Sequence, residues 1–195
     1  MNFNNLFRKN IKNLQPYSSA RDEYSGEAMI FLDANENPFN EPYNRYPDPL
    51  QKKLKEKVAA LKNVKPEQIF LGNGSDEPID LLIRAFCEPG QENIITIDPT
   101  YGMYKVAASV NNVEVHKASL TNSFGLDVPQ LLNAVNDDTK MIFLCSPNNP
   151  TGNLLDKDSV LYIAEKFNGI VVLDEAYIDF APGKSILAEL ANYPN

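Results

Sequence analysis

Three features of the 195-residue sequence predict an α/β fold built on a doubly wound, largely parallel sheet. Short apolar runs of strand length alternate with segments whose apolar residues recur at three- and four-residue spacing, the order that yields parallel strands joined by crossover helices. One such run leads through a glycine-rich loop straight into a helical stripe. Finally, the polar residues with the most chemical potential, Ser75, Tyr101, Asn149 and Asp174, each follow an apolar run. That is the carboxyl edge at which open α/β sheets bind ligands.

The first thirty residues place Phe3, Leu6, Phe7 and Ile11 at the spacing of a short amphipathic helix and then turn polar through Gly26, which reads as an arm outside the core. Met29 to Leu32 is a short apolar run into Asp33-Ala34-Asn35-Glu36-Asn37-Pro38, a loop by its Asx and proline density, and Asn44 to Pro49 continues it. Leu50, Leu54, Val58 and Leu61 predict a packed surface helix, with Pro49 suited to its first turn and Pro66 beyond its end. Ile69 to Leu71 reads as a short strand.

Next come Gly72-Asn73-Gly74-Ser75-Asp76-Glu77-Pro78 and a helical stripe of Ile79, Leu82, Ile83 and Phe86. The glycines permit a tight turn, Ser75 can cap, and the N–H groups of the first turn can form an anion cup that needs no lysine. The same residues also make an ordinary capped turn. Ile94 to Ile97 is the following strand, ending at Asp98-Pro99-Thr100-Tyr101-Gly102, and Met103, Val106, Ala107 and Val110 mark the helix after it. Tyr101 there either stacks on a planar ring or closes the core. Val113 to His116 reads as a strand and Val128, Leu131, Leu132 and Val135 as a helix. Met141 to Cys145 and Ile170 to Leu173 read as buried strands; between them Asp156 caps a helix carrying Val160, Ile163, Ala164 and Phe167, which Gly169 ends.

A net charge of −8 with scattered basic residues argues against a nucleic-acid surface. The run Lys52, Lys53, Lys55 and Lys57 reads as the solvated side of a helix. Cys87 and Cys145 lack C-x-x-C spacing and read as small buried hydrophobes in a reducing compartment. The single histidine, His116, leaves no zinc cluster or histidine triad to assemble. No apolar run follows Arg8, Lys9 and Lys12 or is long enough to span a bilayer, so a soluble, cytoplasmic protein is expected.

Ser146-Pro147-Asn148-Asn149-Pro150-Thr151-Gly152 and Asp174-Glu175-Ala176-Tyr177 should emerge together at one sheet edge. A carboxylate at a strand end can hold a proton on a heteroaromatic nitrogen and keep that ring an electron sink, as pyridoxal phosphate requires. Asp174 would be that carboxylate, and Asn149 and Tyr177 could donate hydrogen bonds to the ring oxygen. Either loop alone reads as a turn or a strand cap; the two together favour the cofactor reading.

With Asp33 to Pro38, Asn44-Arg45-Tyr46-Pro47, Gly74 to Glu77 and Pro99 to Tyr104 in the same order, the chain resembles the fold-type I pyridoxal-phosphate aminotransferases, most closely their histidinol-phosphate branch, from about Tyr17 to Asn195. The resemblance implies the three-layer, mainly parallel large domain of these transferases, with residues 1–37 as N-terminal arm and substrate loop and 38–195 as part of the cofactor-binding domain. It implies that Ser75 and Asp76 give backbone donors to the cofactor phosphate, Tyr101 stacks on the pyridine ring, Asn149 and Tyr177 hold the ring oxygen and Asp174 bonds the ring nitrogen. Tyr46 would reach the phosphate in a neighbouring subunit, implying a homodimer, and Tyr17 and Asn35-Glu36-Asn37 would lie near substrate. The implied reaction converts L-histidinol phosphate and 2-oxoglutarate to imidazole-acetol phosphate and L-glutamate in histidine biosynthesis. The family's small domain and the lysine that anchors the cofactor and moves the proton are expected beyond Asn195, so the chain is expected to be inactive alone. Lys184, in a loop-like context, reads as solvated. Two alternatives stay open: a related lyase such as a threonine-phosphate decarboxylase, and a non-catalytic remnant that binds phosphate or a partner chain.

Overall fold

The computed structural model describes residues 3–18, 23–24, 26, 30, 32–39 and 41–195. It divides into two compact units, Leu14–Gly72 and Met1–Asn13 with Asn73–Asn195. The expected division at residue 37 is one of role, and it stays a proposal.

The larger unit is built on four parallel strands, β1 (Asn93–Asp98), β2 (Glu114–Ser119), β3 (Thr139–Cys145) and β4 (Ile170–Asp174), in the order β2-β1-β3-β4. The chain leaves β1 toward β2 and then returns to the other side of β1, which makes the gap between β1 and β3 the topological switch point. Helices cover both faces, giving the expected three layers. On one face α3 (Asp76–Phe86) and α4 (Met103–Val110) bury Ile79, Ile83, Tyr104 and Ala108 against Ile94, Met141, Phe143 and Cys145. On the other, α5 (Val128–Asn133) and α6 (Lys157–Lys166) bury Leu131, Val160 and Ile163 against Ile95, Ile97, Ile142 and Leu144. Side chains along a strand alternate between faces, so the central strands bury apolar residues of both parities: Ile94, Ile95 and Ile97 in β1 and Met141 to Cys145 in β3. Each such fully buried side chain stabilises the unit by roughly 1.5–3 kcal/mol.

Asp156 caps α6 as expected, accepting from the Ser159 amide at 2.9 Å and its hydroxyl at 2.7 Å. Asp127 caps α5 in the same way through the Gln130 amide. Cys87 and Cys145 are free and buried, and His116 lies on β2, with the strand displaced toward Ser119 from its expected span.

The N-terminal residues correct the reading of an arm outside the core. In place of one amphipathic helix there is a 3-10 turn, Phe3–Asn5, and a single helical turn, α1 (Lys9–Lys12). Between them Leu6 and Phe7 pack against the core, Phe7 stacks on Phe86 at 4.4 Å, and the Arg8 amide donates to the Ala85 carbonyl at 3.0 Å. An apolar pair following an irregular turn can dock without continuing a helix.

In the smaller unit, α2 (Lys52–Lys62) forms where expected but is not packed as expected: only Ala59 is buried, and Leu61 is 79 % exposed. Within that unit it packs against the 3-10 turn Pro66–Gln68. Residues 69–71 form no strand, because no described segment offers them a ladder. Of the expected apolar run from Met29 to Leu32, Met29 and Phe31 lie outside the described residues.

Candidate active site

Strand parity decides where Asp174 points. Ile170 and Val172 belong to the face covered by α3 and α4, and Asp174 continues that face at the carboxyl end of β4. There its Oδ2 accepts a 2.6 Å hydrogen bond from the Tyr104 hydroxyl of α4, and its Oδ1 accepts from the Ala176 amide at 2.9 Å. Asp174 has no salt-bridge partner among the described residues. Glu175, of opposite parity, accepts instead from the Ser185 hydroxyl at 2.6 Å and the Ile186 amide at 2.9 Å. Of the two adjacent carboxylates, only Asp174 therefore faces the tyrosines.

Tyr104 is fully buried, stacked on Phe143 at 4.9 Å and met edge-on by Tyr101 at 5.7 Å. Burial first, and then the bond to Asp174, push its phenol far above the ordinary range, so it keeps its proton and can only donate to the carboxylate. Tyr101 follows β1 at the switch point, and its hydroxyl donates to Asp76 at 3.1 Å; that bond is the main cause raising its pKa, with smaller contributions from the nearby Asp174 and Tyr177. Asp76, Tyr101, Asp174 and Tyr177 thus gather at one edge. Tyr177 is half-exposed at the start of the turn Ile178–Phe180.

Ser75 stands at the N-cap of α3, but its hydroxyl makes no capping bond, which corrects that part of the reading. The loop is held from behind: Glu77 accepts from the Asn73 amide at 2.6 Å and the Asn73 side chain at 3.1 Å. The first-turn N–H groups of α3 have no intrahelical acceptor and carry the positive end of its dipole. Gly74, at φ +72°, has nothing within 4 Å of where a Cβ would stand, so space lies open over this loop.

Sequence reasoning missed the residue that holds the Asn149 loop. Asn148 is 2 % exposed. Its Oδ1 accepts from the Thr100 hydroxyl at 2.9 Å, and its Nδ2 donates to the Pro99 carbonyl at 3.0 Å and to Thr151 Oγ1 at 2.7 Å. One amide thereby ties the loop after β3 to the loop carrying Tyr101. Asn149 itself is half-buried, with its side-chain amide unbonded among the described residues and its backbone N–H directed to the Cys145 thiol. Burial raises the pKa of that thiol, and the Asn149 N–H partly offsets it.

Tyr17, Asn35 and Tyr46 belong to the smaller unit and are exposed. Within it, Glu36 joins the two motif segments: its carboxylate accepts from the Tyr46 amide at 2.8 Å and pairs with Arg45 at 2.8 Å, and its side chain is only 3 % exposed. Lys184 is exposed in a turn. A cleft of about 640 Å³ in the larger unit lies among Arg8, Phe86, Glu92 and Lys140, toward the amino ends of β1 and β3 and away from this edge.

Carboxylate, phenol and amide groups gather at the switch point of a doubly wound α/β fold, the edge at which such sheets bind ligands. The family model described as aminotransferase class I and II matches residues 30–195, and the chain belongs to that family. Histidinol-phosphate aminotransferase of Parabacteroides distasonis is 62 % identical over 190 residues, covering 97 % of this chain and 55 % of its own length. The enzyme of that name from Bacteroides fragilis is 58 % identical over 191 residues, with the same coverages of 97 % and 55 %. Among solved structures, the histidinol-phosphate aminotransferase of Clostridium acetobutylicum superposes with a TM-score of 0.65 at 28 % identity, covering 76 % of this chain and 44 % of that one. The chain therefore spans about half the length of the curated relatives it matches. No described helix is long and apolar enough to cross a membrane.

Proposed function

We propose that the chain supplies the cofactor-holding part of a pyridoxal-phosphate-dependent aminotransferase that moves the amino group of L-histidinol phosphate to 2-oxoglutarate. The observation that carries the reading is Asp174, a half-buried carboxylate at a strand end with a neutral donor on each oxygen and no ion-pair partner among the described residues. Such a group suits a protonated ring nitrogen as its charge partner. The open space over Gly74 and the unsatisfied first turn of α3 suit a phosphate.

When bound, pyridoxal phosphate supplies an electron-withdrawing ring that stabilises negative charge on the substrate's α-carbon. Asp174 accepts the ring N–H and keeps the proton on that nitrogen. The Ser75 and Asp76 amides hold the phosphate, Tyr101 covers one face of the ring, and Asn149 and Tyr177 donate to the ring oxygen. Tyr17 and Asn35 serve the substrate, ahead of a cofactor domain of 38–195 against whose core Leu6 and Phe7 pack. Tyr46 serves the phosphate of a second copy in a cytoplasmic homodimer. The names of the relatives at 62 % and 58 % identity support histidinol phosphate as donor.

Titration of the purified chain with pyridoxamine 5′-phosphate, followed by absorbance, tests the cofactor roles. Asp174→Ala is expected to weaken binding at least tenfold, the loss of one charge-assisted hydrogen bond. Equal affinity of variant and wild type, or no binding by either, rejects the reading. Tighter binding of L-threonine phosphate than of L-histidinol phosphate to the loaded chain would reject the donor assignment and favour a lyase.

A further inference from the structure

Tyr104 has no part in the roles above, yet it is the side chain most firmly set against Asp174. It is fully buried, its ring is fixed by Phe143 at 4.9 Å and Tyr101 at 5.7 Å, and its hydroxyl lies 2.6 Å from Asp174 Oδ2. With the Ala176 amide on Oδ1 at 2.9 Å, the carboxylate is pinned through both oxygens and cannot turn about its terminal torsion without breaking one of them. From the geometry we propose that Tyr104 is a positioning residue, holding the Asp174 carboxylate in the one orientation in which it meets the ring nitrogen of a bound pyridine cofactor. The proposal rests on the reading of Asp174 given above.

A hydroxyl donating to a carboxylate has two opposed effects. It draws some negative charge away from the acceptor, which weakens the carboxylate's pull on a second donor. It also prevents a half-buried carboxylate from swinging toward solvent. Without Tyr104's hydroxyl, Oδ2 would face a buried ring edge with no donor, and rotation away from the site would be the relief. Orientation is the larger effect, because an N–H···O bond weakens steeply once its angle falls far from linear. The same side chain touches Tyr101, so α4 sets the ring-covering phenol and the ring-nitrogen acceptor together.

The test separates positioning from mere packing. Tyr104→Phe keeps the aromatic contacts and removes only the hydroxyl. Wild type and variant are titrated with pyridoxamine 5′-phosphate and with its 1-deaza analogue, in which CH replaces the ring nitrogen. The expected result is an affinity for pyridoxamine 5′-phosphate about tenfold weaker in the variant and an affinity for the deaza analogue unchanged within about twofold. Equal losses for both ligands, or no loss for either, overturn the proposal. Binding of neither ligand by wild type overturns the cofactor reading and this assignment with it. A second measurement needs no variant: the Tyr104 Cζ resonance in ¹³C-tyrosine-labelled wild type should shift when pyridoxamine 5′-phosphate binds and stay still with the deaza analogue. The same shift with both ligands contradicts the proposal.

Discussion

Asn148→Ala isolates one side chain that joins two loops of the candidate site. The substitution removes three hydrogen bonds, from Thr100 Oγ1 at 2.9 Å, to the Pro99 carbonyl at 3.0 Å and to Thr151 Oγ1 at 2.7 Å. The Thr100 hydroxyl can rotate to another acceptor, whereas the Pro99 carbonyl loses a donor inside a site only 2 % exposed at Asn148. At about 1 kcal/mol net per bond, with a further penalty for a stranded acceptor, the larger unit should lose about 2–4 kcal/mol. That is a large share of the roughly 5–15 kcal/mol by which domains are stable. Asn148→Asp is the sharper probe, since it keeps the acceptor for Thr100 but sets a carboxylate oxygen against the Pro99 carbonyl; it should destabilise at least as much as alanine. Equilibrium urea unfolding followed by circular dichroism measures both. A loss below about 0.5 kcal/mol for Asn148→Ala would refute the assignment of Asn148 as the tie between the loops.

Gly169→Ala would put a Cβ 2.5 Å from the Lys140 carbonyl oxygen and against the Phe167 ring, and should cost about 1–3 kcal/mol in thermal or urea unfolding. Gly152→Ala, at φ +76° with nothing within 4 Å, should cost about 1–2 kcal/mol from backbone conformation alone, so a ranking of Gly152→Ala above Gly169→Ala would contradict the close approach. The Asp156 cap supplies a pH dependence. The Ser159 hydroxyl and amide hold its pKa below the ordinary 3.8, so its contribution is complete above that value and is lost as pH falls through the folded-state value. Asp156→Asn keeps a capping oxygen that does not titrate. The melting-temperature advantage of wild type over this variant should therefore shrink between pH 6 and pH 3, and a constant difference would show that the carboxylate is not the titrating cap.

What could be read from the sequence follows from local rules. The strands β1, β3 and β4 were visible because apolar runs bounded by Asp, Pro and Gly allow few other structures, and the Asp156 cap because its partner lies three residues on. Residues 69–71 and α2 misled because an apolar pattern states what a segment can bury, not whether a neighbour exists to bury it against. The docking of Phe7 was missed for the converse reason: its stacking partner, Phe86, lies at the far end of α3, where no local pattern links the two.

The candidate site divides in the same way. Asp174, Tyr101, Asn149 and Ser75 could be named because each ends a strand, opens a helix or lies in the loop just after a strand, and strand ends can be counted. Tyr104 and Asn148 could not, since their partners lie 70 and 49 residues away in the chain and depend on the registers of β1, β3 and β4. One signal was nonetheless present. Tyr101 and Tyr104 are three positions apart at a helix start, which places them on one face. Asp174 shares the parity of Ile170 and Val172, which face the same helix layer. Combining the two periodicities predicts that a tyrosine of α4 meets the carboxylate of β4 and Glu175 does not. The residues that would touch a ligand are thus set by element ends, and those that hold them by the phase of each element. The two sets therefore predict different mutant behaviour: loss of Asp174 should weaken every ligand that carries a ring nitrogen, whereas loss of the Tyr104 hydroxyl should act only through Asp174, with no further effect once that carboxylate is gone.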